Sequence, residues 1–149
     1  MPIRPENRAR YPRNWPDISG QVRERAGHRC EWPGCGARNY AIGFWRQIDG
    51  AWAWRPYRNA AGKESACDTY AEARQLAAEL YYERGEEGDK PTVIVLTVAH
   101  LDHTPENCAL DNLRAWCQRH HLAYDAEHHA ASRAKNRDAA TGQLQLLEA

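Results

Sequence analysis

Apolar positions along the chain fall into short, separate blocks rather than one long periodic run. The strongest is TVIVLTVA at 92–99, β-branched and apolar at nearly every place, which predicts a buried strand. Residues 44–48 and 51–57 are rich in aromatic and branched side chains and flank Asp49-Gly50, the pattern of a tight β-hairpin. Over 70–83, Ala73, Leu76, Ala77, Leu80 and Tyr81 share one face of a helix, and Thr69 with Glu72 forms a capping box before it. A short helix is predicted over 21–26, with Ser19 as its cap and Gly27 as its stop. A longer one is predicted over 117–139, after which Gly142 separates an LQLL tail. Pro2, Pro5, Pro12 and Pro16 predict that 1–17 is an extended arm. NAAGK at 59–63 reads as a turn, and 84–91 as a charged loop.

Composition changes this picture in one respect. Leu, Ile, Val and Phe together make up about 13% of the 149 residues, a thin supply for a core. Zero net charge, six Trp and seven Tyr nevertheless point to a folded chain, one that needs a staple such as a bound metal. No apolar run approaches the ~18 residues of a membrane span. The first residues lack the apolar stretch of a secretory signal, so a reducing, cytoplasmic setting and no membrane partner are expected. Five cysteines in such a setting favour metal ligation over disulfides. Cys30-x4-Cys35 and Cys117-x2-His120 are two close pairs far apart in sequence, the arrangement by which two turns complete a tetrahedral zinc site. Four protein ligands leave no open position, which argues against a zinc hydrolase. Cys67 and Cys108 have no spaced partner and read as small apolar residues.

VAHLDHTPENCALDNLRAWCQRHHLAYD (98–125), with RERAGHRCEWPGCG upstream, resembles the HNH endonucleases of the phage type. The matching segments, 11–38 and 93–125, cover a little over a third of the chain. The resemblance implies an α+β fold: a ββα-metal (His-Me) finger with a structural zinc knuckle, here enlarged by a hairpin-helix insertion. The whole chain then reads as one nuclease-like domain. Its parts are an extended basic arm (1–17), a helix with the first cysteine pair (18–38), the insertion (40–91), and the finger with its C-terminal helix (92–139).

Carried over by position, His100 is the general base, Asn112 orients it, and His121 holds a catalytic divalent ion, Mg2+ or Mn2+, on the scissile phosphate. The implied function is a DNA endonuclease or nickase leaving 5′-phosphate and 3′-hydroxyl ends. It would be encoded by a phage or mobile element and act in a bacterial host. Imidazole suits the role because its ordinary pKa lies near neutrality. Ala99 stands where the family has a second metal ligand, and His120 where it has a cysteine. The first departure leaves two registers open. Either His100 is the base and Asp102 or His103 supplies the missing metal contact, or His103 is the base and Asp102 the ligand. The alternative function is a zinc-stapled module that binds DNA or protein and performs no chemistry. Oligomeric state is not set by the sequence.

Charge is unevenly distributed along the chain. Residues 1–38 carry eight Arg against four acids, and 63–92 carry eight acids against four bases. Of the 20 basic residues 17 are Arg, the side chain suited to bidentate phosphate contacts. Arg8, Arg10 and Arg13 on the arm, and Arg46, Arg55 and Arg58 on the insertion, are the candidate DNA contacts. Alternation puts Trp52 and Trp54 on one sheet face, where both are expected to pack against the 70–83 helix as a second small core. That helix and its acidic loop are expected to face away from phosphate. His128 and His129 are expected to face solvent or a minor groove.

Overall fold

The computed structural model describes residues 3, 5–83, 90–126, 128, 130 and 137. It is a mixed helix-and-sheet fold. A 3-10 helix, Pro5–Arg10, leads into α1 (Trp15–Arg25). Then come β1 (Ile42–Ile48), β2 (Ala51–Pro56), α2 (Tyr70–Glu83), β3 (Thr92–Val93), β4 (Leu96–His100), β5 (Leu113–Cys117) and α3 (Gln118–Tyr124). The chain divides into two compact units, Met1–Gln118 and Arg119–Ala149.

The first unit holds both sheets. One is antiparallel with the order β2-β1-β3; the other is the β4-β5 pair. Asp49 (φ 49°) and Gly50 (φ 79°) turn the β1-β2 hairpin as the sequence predicts. The apolar run 92–99 does not form one strand. Val93 pairs with Ile42 in the first sheet, whereas Leu96 pairs with Cys117 in the second. At the crossing the Val95 and Leu96 N–H groups donate to Gln118 Oε1 and Asn39 Oδ1, both at 2.9 Å, so side chains replace the ladder.

Each sheet carries one helix. Val22 of α1 packs with Leu113 and Ala115, with Trp15, Ile18 and Val98 around them. Ala73, Ala77 and Leu80 of α2 pack on Ile42, with Tyr57 and Val93 at the margin. The start of α2 follows the capping box: Glu72 N–H donates to Thr69 Oγ1 at 3.2 Å and Thr69 N–H to Glu72 Oε2 at 3.3 Å.

Three expectations are corrected. The arm is not extended throughout, because Pro5 opens a 3-10 turn and Pro16 sits in the first turn of α1, where a missing N–H costs nothing. Ser19 lies buried inside α1, its hydroxyl donating to Pro16 O at 3.0 Å, and does not cap it. Trp52 is 52% exposed while Trp54 is 7% exposed. Trp54 stands opposite Trp45, ring centroids 5.4 Å apart, whereas Trp52 stands opposite Gln47 near the hairpin end. The second core is therefore built on Ile42 rather than on the two tryptophans. α3 is described to Tyr124; His128 is exposed, and His129, the 84–89 loop and the tail from 138 lie outside the described residues.

Gly43 makes the Trp54 position possible. A Cβ there would run into the Arg55 carbonyl oxygen and lie 2.8 Å from Trp54 Cζ2. Gly43→Ala is expected to destabilise the fold by about 1–3 kcal/mol, read as a lower urea midpoint at unchanged slope.

Candidate functional site

The first cysteine pair forms at a turn after α1. Gly27 (φ 58°) ends the helix, Cys30 N–H donates to Ala37 O at 2.9 Å, and Cys35 N–H to Trp32 O at 3.0 Å. Glu31 fastens this turn to β5: its N–H donates to Ala115 O at 2.9 Å, and its Oε2 accepts Ala115 N–H at 2.7 Å. Arg25 closes the clamp, donating to Glu31 Oε2 at 3.1 Å and to Leu113 O at 2.8 Å. β5 ends at Cys117, and His120 follows one helical turn later.

The ligand atoms of Cys30, Cys35, Cys117 and His120 all lie within 4.8 Å of one another. A tetrahedral zinc with Zn–S near 2.3 Å sets its sulfurs about 3.8 Å apart, so little contraction is needed. The cluster can hold a metal ion such as zinc. Without a cation, the Cys30 thiol is pushed up by its neighbour Cys117, and Cys35 by Cys117 and then Cys30, with burial adding to both. Backbone groups work the other way. Cys117 N–H donates to Cys30 Sγ at 3.2 Å, and the Trp32 and Ala37 backbones lower Cys30 and Cys35 respectively. N–H groups directed at crowded sulfurs suit thiolates bound to a cation.

His100 is the last residue of β4 and is 8% exposed. Trp15 stacks on its ring, centroids 5.1 Å apart, and Tyr11 meets it edge-on at 5.7 Å. Cys108 Sγ lies 3.8 Å from His100 Nε2 and donates to Pro105 O at 3.3 Å. Burial, followed by Glu106, pushes this thiol up, so it stays neutral. Cys108 is thus a neighbour of the candidate base, a contact that no spacing in the sequence signals.

Asn112 does not hold the imidazole. Its amide donates to Asp102 Oδ1 and to Asn107 O, both at 2.9 Å, and its Oδ1 accepts Asp102 N–H at 3.2 Å. Asp102 also accepts from Thr104 N–H at 2.9 Å and from Asn107 Nδ2 at 2.7 Å. A side chain at the head of β5 thereby ties both ends of the 101–112 loop, its amide engaged by Asp102 and Asn107. Hydrogen bonds from Asn112, Asn107 and Thr104 hold the Asp102 carboxyl down at about 2. His103 is half-buried in the left-handed region (φ 55°), its N–H donating to His100 O at 3.2 Å.

In the second unit, His121 Nε2 lies 3.1 Å from Asp125 Oδ2. Sequence reasoning gave Asp125 no role, although its four-residue spacing from His121 on a helix was the available signal. A carboxylate on one ring nitrogen fixes an imidazole so that the other can bind a metal. Of the candidate DNA contacts, Arg8, Arg13 and Arg55 are exposed. Arg10 forms a forked pair with Glu106 at 2.6 and 3.0 Å. Arg46 lies over the Phe44 ring at 5.1 Å, and Arg58 donates to Gly62 O at 2.9 Å.

Elemental analysis is expected to find close to one equivalent of zinc per chain, lost in Cys35→Ser together with much of the thermal stability. Folding unchanged after metal stripping would refute the staple. Because the Asp102 pKa is depressed in the fold, its contribution is present above the ordinary 3.8 and is lost as pH falls through about 2. A carboxyl NMR titration is expected to place its midpoint there, with the loop amides losing protection in step. Comparison of the chain with protein-family models, with curated proteins and with solved structures yields no match.

Proposed function

We propose that the chain is a metal-dependent DNA endonuclease or nickase of the HNH kind. One observation carries the reading. His100 closes β4, Asn112 immediately precedes β5, and His121 is the fourth residue of α3, giving strand, loop, strand and helix in the order the resemblance requires. The cation-ready cluster at the end of β5 supports it, since it ties the knuckle to the strand that faces β4.

In this reading His100 accepts a proton from the attacking water, and Trp15 and Tyr11 fix the plane of its ring. Asn112 is a positioning residue that keeps the 101–112 loop in shape. His121, oriented by Asp125, would hold Mg2+ or Mn2+ together with Asp102 or His103. A bound ion there supplies positive charge to the phosphate and its leaving oxygen. Exposed Arg8, Arg13 and Arg55 would meet the DNA backbone.

A second reading, a DNA-binding module that does not cut, is favoured by the 8% exposure of His100 and by buried Ala99 in place of a second metal ligand. The two separate in one assay. Purified protein is expected to nick supercoiled plasmid with Mg2+ or Mn2+, and His100→Ala and His121→Ala to lower the rate by roughly 100-fold or more. Equal nicking by all three would mean a contaminant. Salt-dependent binding with no cutting under any divalent ion would establish the second reading. His103→Ala, compared with His100→Ala, assigns the base.

A further inference from the structure

The arginines near the knuckle fall into two groups. Arg25 is paired with Glu31 at 3.1 Å and Arg29 with Glu64 at 3.2 Å. Arg23 donates to Ser19 Oγ at 3.4 Å, and neither it nor Arg38 makes an ion pair among the described residues. These two unpaired arginines line the same cavity of about 280 Å3, together with His28, Asn39, Cys67 and Asp68. The cavity joins the C-terminal half of α1 to the chain after the knuckle and to the approach to α2, all within the first unit.

Two guanidiniums brought into one concavity repel each other, and Asp68 is the one carboxylate among the described residues that line it. Asn39 adds a donor: its Oδ1 is held by Leu96 N–H at 2.9 Å, which leaves the amide N–H2 as the polar end of the side chain. Such a lining suits a tetrahedral oxyanion, and the volume leaves room for the sugar attached to it.

We infer that the Arg23–Arg38 cavity is a phosphate-binding site that takes a phosphodiester of a nucleic-acid backbone. The fork of each guanidinium matches two phosphate oxygens. The site lies in the segment whose eight arginines outnumber its acids two to one, the part of the chain that attracts polyanions. None of its residues belongs to the proposed cleavage machinery, so the inference stands whether or not His100 performs chemistry.

Half-buried Cys67, in the wall of the cavity, is a built-in reporter. Wild-type protein without added divalent cation is treated with iodoacetamide, and modification at Cys67 is followed by mass spectrometry. The three samples hold no ligand, a short DNA duplex, or inorganic phosphate at the same phosphate concentration. The duplex is expected to slow Cys67 alkylation severalfold while inorganic phosphate leaves it unchanged. Equal protection by inorganic phosphate would overturn the nucleic-acid assignment in favour of a free phosphate, and no protection by either would overturn the site. In parallel, Arg23→Gln/Arg38→Gln is expected to weaken duplex binding about tenfold and to lower its salt slope by about one, at unchanged zinc content and thermal midpoint. Unchanged affinity would overturn the proposal, and if the double variant does not fold, the wild-type protection decides. No cleavage is scored, so this result is independent of the nicking assay.

Discussion

Everything near the candidate site depends on three sulfurs from two distant stretches of chain meeting at the end of β5. The apolar core joining α1 to the β4-β5 pair is small, built on Val22, Leu113 and Ala115. Around the sulfurs, the Glu31 backbone N–H and carboxylate, both bonded to Ala115, and the Arg25 clamp commit the turn to one position on β5. Crowded thiols resist losing their protons, and a cation reverses that preference. A cluster of this kind can therefore couple local folding to metal capture.

The same economy governs the 101–112 loop. It has no core of its own and takes its shape from one carboxylate and two amides, Asp102, Asn107 and Asn112. Charge-assisted hydrogen bonds replace packing, and the depressed Asp102 pKa is the thermodynamic signature of that replacement. His100 is treated differently. Its ring is held by aromatic faces from the start of the chain and by a neutral thiol.

What was legible in the sequence follows from how local each signal is. The β1-β2 turn and the start of α2 were readable because Asp49-Gly50 and the Thr69/Glu72 box act within four residues. The four ligands were readable because tetrahedral chemistry demands paired spacings. The split of 92–99 between two sheets was not, since an apolar run carries no record of which neighbour each half will pair with. Prolines were read as breakers, although Pro16 begins a helix as readily as it ends one. Trp52 and Trp54 share a period but not a depth, because alternation sets the face of a side chain and carries no record of its burial. Asp125 and Cys108 escaped notice for opposite reasons: one signal was present and unread, and the other existed only in three dimensions.

The aromatic wall around His100 comes from Tyr11 and Trp15, at the far end of the polypeptide from the ring they enclose. A replacement at either ring alters the microenvironment of an imidazole about ninety positions downstream.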